Sequence, residues 1–174
     1  MAKSGQEFVA CGKSYTAERD AVVGMIDMYR VAEAAGGALF SDWARVCTTP
    51  LLHGGLAMIA ERENYHSRVF DKRIGEMGAE RKATLDNSRS AEIRAYFADP
   101  AISDLDKLVR FNHEIIGDPE PFFAEIATLA GRISDDIESR EMLKLFHQDE
   151  LSTTQWLAEM ERVLTGEAVA RAAE

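Results

Sequence analysis

The stretch AMIAERENYHSRVF, from Ala57 to Phe70, sets a glutamate and a histidine in an otherwise apolar pattern. Glu63 and His66 stand three positions apart there, among apolar residues (Leu52, Leu56, Ile59, Phe70, Ile74, Met77) that recur every three to four positions. Such recurrence marks one face of an amphipathic helix, and the glutamate and histidine fall on that same face. Side chains at i and i+3 leave a helix from one side with Cβ atoms about 5–6 Å apart, close enough to ligate one metal ion together. With 30 acidic residues and 4 histidines in 174 positions, chance alone supplies on the order of one such spacing. What gives this one weight is its place on an apolar stripe.

Two more glutamates interrupt apolar stripes in the same way. Glu33 falls in the series Val22, Ile26, Tyr29, Gly37, Phe40, Ala44, and Glu150 in the series Leu143, Phe146, Thr153, Leu157, Met160, Leu164. A buried ionised carboxylate costs several kcal/mol unless it is paired, protonated or bound to a metal. Three facing one interior also repel each other, so something positive is expected between them. The pattern predicts that Glu33, Glu63, His66 and Glu150 converge on one interior point.

Long helices must position these groups. The first is expected from Ala17 to the CTTP segment, where Pro50 pushes Thr49 out of the helical region and can itself open the next helix. Thr49 is the expected N-cap of a second helix, which Gly78 is placed to end. The polar stretch AERKATLDNSRSAEIRAYFADPAISD reads as a crossover carrying one short helix, at residues 91–97, and a further short helix is expected over residues 105–116. GDPEP then interrupts the chain, since two close prolines do not fit a helix interior. A third long helix is expected from Pro121, with Phe122, Ile126, Leu129 and Ile133 inward, and a fourth from SDDIE, with Asp135 as N-cap and Glu138 three residues on. No strand pattern competes. The expected fold class is all-α: an antiparallel four-helix bundle over residues 17–165 with a long crossover between its second and third helices, an N-terminal extension (1–16) and an Ala-rich tail (166–174).

On these residues the sequence resembles the ferritin-like superfamily, the rubrerythrin and bacterial ferritin type of di-iron carboxylate bundle, over Ala17 to Leu164. In that family a Glu from the first helix and a Glu-x-x-His from the second bind a metal pair with a Glu from the third and another Glu-x-x-His from the fourth. The resemblance assigns Glu33 in YRVAEAAG, Glu63 and His66 in ERENYH, and Glu150 in HQDELSTT as ligands. It implies iron, with manganese or zinc also compatible with such donors, and an oxidoreductase that activates dioxygen or peroxide on a small-molecule substrate. The set is incomplete. Thr153 stands where the second histidine belongs, and Glu125 is rotated off the inward face of PFFAEIATLAG. His147, one turn before Glu150, is the candidate substitute, because a reversed His-x-x-Glu keeps both groups on one face. Three carboxylates and a neutral imidazole offset three of the four charges of two ferrous ions, which leaves a one-metal site as plausible as a pair. A non-catalytic bundle that has lost its metal and serves partner binding or self-association is the alternative.

Composition narrows the remaining classes. A net charge of -10 with no basic cluster disfavours nucleic acid. Cys11 and Cys47 have no zinc-type or redox-type spacing and read as free thiols of a reducing compartment. No signal peptide or membrane span is read from the sequence, so a cytoplasmic protein, assembled as a homo-oligomer such as a dimer, is expected. Tyr29, Trp43 and Trp156 read as packing residues, and His53 and His113 as surface residues.

Overall fold

A computed structural model describes residues 7–166. A hairpin of β1 (Phe8–Ala10) and β2 (Lys13–Tyr15) leads into α1 (Glu18–Val46), α2 (Pro50–Glu76), α3 (Asn87–Ala98) and α4 (Asp104–Val109). The last of these continues as a π-helical segment, Arg110–Ile116, before α5 (Pro119–Arg132) and α6 (Ile137–Thr165). The all-α class holds, and among the described residues no helix is long and apolar enough to cross a membrane. The expected tail beyond Gly166 lies outside the described residues.

Cross-helix contacts fix the directions. Along α1 and α2, Arg19 meets the Met77 carbonyl, Ser67 donates to the Arg30 carbonyl at 2.8 Å, and Glu33 meets His66 at 3.2 Å. Numbers rise on one helix as they fall on the other, so the two run antiparallel. The pairs Arg73–Ser139 and His66–Asp149 give the same answer for α2 and α6. Chain 77–103 carries α3 against α1. It starts where α2 ends, beside Arg19, and finishes at Asp104, which bonds to Thr48 and Thr49 at the opposite end of the molecule.

Two apolar clusters fill the interior. One joins Val22, Met25 and Ile26 of α1 with Phe70 and Ile74 of α2, Phe123, Ile126 and Leu129 of α5, and Leu143 and Phe146 of α6. The other joins Phe40 and Trp43 with Leu52 and Leu56, Phe97, Leu108, Phe111 and Leu157. α1, α2 and α6 serve both. The remaining wall is built in two pieces, α5 over the first cluster and α4 with its π-helical continuation over the second. Ile116, at the joint between them, packs against both.

Several local expectations are corrected, each for an identifiable reason. A hairpin stands where no strand was expected, because two three-residue strands are too short for alternation to register. Its two-residue turn, Cys11 at φ 52° and Gly12 at φ 70°, has the left-handed pair that matches strand twist. The hairpin adds Phe8 and Ala10 to the first cluster, so part of the expected N-terminal extension belongs to the core. Both prolines of GDPEP fit the first turn of α5, whose amides have no helical partner to lose. That helix therefore starts at Pro119 behind the N-cap Asp118; Ile126, Leu129 and Ile133 face inward as expected, but in the first turn Phe123 is buried while Phe122 is 48% exposed. Asp136, not Asp135, caps α6 by accepting from the Ser139 N–H at 3.0 Å, and Glu138 pairs with Arg73 instead of closing the cap. Thr49 does hold the N-cap position of α2, yet its hydroxyl donates to Asp104.

Asp104 is the polar lock at that end. Its buried carboxylate accepts from the Thr48 N–H at 3.0 Å, the Thr49 N–H at 2.9 Å, the Thr49 hydroxyl at 2.7 Å and the Trp43 indole at 2.9 Å. Burial pushes the carboxyl up, but the bonds from Thr49, Trp43, Thr48 and Cys47 outweigh it and hold the group below its ordinary range. Asp104→Ala leaves several buried donors unpaired and should lower unfolding stability by about 3 kcal/mol. Since the folded carboxyl is the stronger acid, its contribution is present above the unfolded value near 3.8 and lost as pH falls through the folded one. Melting curves should therefore show the gap between parent and variant narrowing only in strong acid.

Candidate metal centre

Between the two clusters the interior turns polar. Glu33 on α1, Glu63 and His66 on α2 and Glu150 on α6 are all at most 7% exposed. One ligand atom each from Glu33, His66 and Glu150 lies within 4.8 Å of the others. His66 Nδ1 is 3.2 Å from Glu33 Oε2 and 3.6 Å from Glu150 Oε1. The far side of the ring is held by Asp149, whose Oδ2 is 3.0 Å from Nε2. The Asp149 side chain is 45% exposed, and a ring proton on Nε2 donated to it would leave the Nδ1 lone pair facing inward.

Packing fixes these groups as firmly as hydrogen bonds do. The Phe146 ring meets His66 edge-on at 5.0 Å and is bracketed by Phe70 and Tyr29, each at 4.9 Å. Gly36 and Gly37 let α1 come close to α2. A Cβ on Gly36 would lie 2.8 Å from Glu63 Oε2, and one on Gly37 would lie 2.6 Å from Asn64 Oδ1. The Glu63 carboxyl thus rests directly on the α1 backbone, within hydrogen-bonding reach of Glu33.

Charge crowding is the dominant electrostatic fact. Burial, then the Glu150 charge, lifts Glu33 well above the ordinary carboxyl range. Burial and then Glu33 do the same to Glu63, while burial and Glu63 push Glu150 to about 9. The Arg62 guanidinium opposes all three shifts. Glu63 Oε1 and Glu150 Oε1 are buried without any hydrogen-bond partner, as are Thr153 Oγ1 and Arg62 Nε. Native interiors leave few such atoms.

Of the five expected ligands, Glu33, His66 and Glu150 form the close group and Glu63 borders it through Glu33. His147 is half-buried with a partnerless Nε2 and does not join the group. Glu125 accepts the Gly12 N–H at 3.1 Å and so is engaged by the hairpin turn. Sequence reasoning missed Asp149 and Arg62. Both lie off the apolar stripes and read as surface charges; the only available signal was adjacency to Glu150 and Glu63. No family model, curated protein or solved structure matches the chain. The functional reading therefore stands on the residues themselves.

The close approach at Gly36 is testable without any ligand. Gly54, also helical, has nothing within 4 Å of a built Cβ. Gly54→Ala should raise stability by up to about 1 kcal/mol through the ordinary helix preference for alanine. Gly36→Ala should gain nothing or lose stability, because the Glu63 carboxyl has to move. Equal gains in thermal melts of the two variants would show that the two helices are not tightly apposed there.

Proposed function

We propose that this chain is a ferritin-like four-helix protein that binds iron at Glu33, Glu63, His66 and Glu150 and acts as an oxidoreductase. The observation that carries the reading is His66, whose Nδ1 lies 3.2 Å from Glu33 and 3.6 Å from Glu150 while Asp149 engages the opposite nitrogen. Metal-binding imidazoles are oriented in this manner by an outer carboxylate. Four helical segments around one interior, with a connection running the molecule's length between α2 and α4, support the ferritin-like reading. Bound iron would supply redox chemistry with dioxygen or peroxide; manganese or zinc would also suit the donors.

Charge favours one ion over two. Three carboxylates carry three negative charges, and one divalent ion with the Arg62 guanidinium offsets all three. The third-helix ligand expected of a metal pair has no counterpart: the close group holds no residue of α5, and Glu125 is engaged by the Gly12 N–H. In the protein's own terms, Glu33, Glu63 and Glu150 supply anionic oxygens, His66 supplies a nitrogen, and Asp149 holds the ring. Phe70 and Phe146 keep bulk water from that side of the imidazole.

The competing reading, a helical protein without metal, draws on the Glu33–Glu63 contact, where a shared proton can stand in for an ion. Glu63→Ala separates the two. If metal binds, the variant loses a ligand along with stabilisation that depends on binding the folded state alone. Its melting temperature should then fall by several degrees, and chelator should erase the difference from parent. Without metal, the change relieves repulsion and desolvation against a cavity cost, so stability should hold or rise whatever the chelator. Metal analysis of protein purified without chelator should find about one ion per chain. No uptake even after anaerobic ferrous addition would end the proposal.

A further inference from the structure

A cleft of about 320 Å³ opens between α2 and α6, one helical turn from the carboxylate centre. Met58, Ile59 and Trp156 line it along with Gly55, and Arg62 and Thr153 supply polar groups. The Trp156 indole occupies the space that a Cβ on Gly55 would need, so it lies flat against the α2 backbone as one wall. Thr153 is 3% exposed and its Oγ1 has no partner; Arg62 Nε is likewise buried and unpaired. They come from facing helices and border the same space. A buried donor left unmet is costly, and a bound molecule that accepts from it removes that cost.

We infer that this cleft binds a small monocarboxylic acid, its carboxylate held by Arg62 and Thr153 and its apolar body lying along Met58, Ile59 and Trp156. The head group follows from the donors. A guanidinium and a hydroxyl together present N–H and O–H groups to an anionic oxygen, and guanidinium geometry matches a carboxylate. The body follows from the walls, which are apolar apart from those two residues and Ser152. Size follows from the volume, at the low end of the roughly 300–1,000 Å³ typical of ligand pockets. Thr153 is buried and Met58 is 75% exposed, so the acid would sit with its head at Arg62 and Thr153 and its tail outward along Met58. Binding at the cleft is independent of metal. That the acid is what the centre acts on rests on the metal reading given above.

The test is calorimetric titration of the full chain with hexanoate and, separately, with hexan-1-ol, in chelator-stripped and ferrous-loaded protein, alongside Arg62→Gln and Thr153→Val. Saturable one-to-one hexanoate binding is expected in the parent. The alcohol and Arg62→Gln should each show binding weaker by about tenfold or more, the loss of one charge-assisted contact. Thr153→Val, nearly isosteric, should weaken it several-fold. If Arg62→Gln fails to melt cooperatively, the comparison of acid with alcohol and the valine variant decide. Equal binding of acid and alcohol overturns the inference, as does unchanged affinity in Thr153→Val or no hexanoate binding in either form. Should the protein take up metal yet ignore hexanoate, this inference alone fails. Should stripped protein bind hexanoate while no metal is ever taken up, the metal reading alone fails.

Discussion

Mutual repulsion among Glu33, Glu63 and Glu150 is the constraint around which the rest of the structure is arranged. Three carboxylates are brought into one buried interior, where each raises the proton affinity of another. Three continuous helices hold them there, each anchored above and below the centre by an apolar cluster. Burial of apolar side chains on both sides supplies the stabilisation against which the polar middle is held. Placing such a centre near a helix end would leave it anchored from one side only. In the middle, no carboxylate can swing to solvent without disturbing one of the clusters.

The same constraint explains the small residues nearby. A carboxyl as long as that of Glu63 needs room between two helices in close contact, and Gly36 provides it by having no side chain. Asp149 contributes from the rim, orienting His66 from a solvated position where its own charge is cheap. Arg62 brings a compensating cation near all three acids without direct contact with the ligand atoms of the close group. The centre therefore depends on side chains at three depths: buried ligands, a half-buried cation and a partly exposed acid.

Much of this was legible in the sequence, and what was missed has a common cause. Glu33, Glu63, His66 and Glu150 could be found because an acid on an apolar stripe violates burial, and violation is visible in a periodic pattern. Asp149 and Arg62 violate nothing; their roles follow from which helix faces which, and periodicity within one helix carries no such information. The hairpin escaped because Phe8–Ala10 and Lys13–Tyr15 are too short to show a period. Phe122 was placed inward in error because Phe122 and Phe123 are adjacent and both sit within one step of the stripe that Ile126, Leu129 and Ile133 define, so periodicity alone did not choose between them. The boundary at Gly117, by contrast, was readable from GDPEP, although not that it would split one wall of the interior in two.

That split wall has a mechanical meaning. An unbroken helix along that wall could bend only by disturbing several i to i−4 hydrogen bonds at once. Here the two pieces meet at Gly117, with φ 69°, and Asp118, the cap of α5. Either piece can pivot at that joint with its own hydrogen-bond ladder intact. The wall thus has two separately ended ladders that meet at a glycine and a capping aspartate, and one apolar residue, Ile116, sews the joint to both halves of the core.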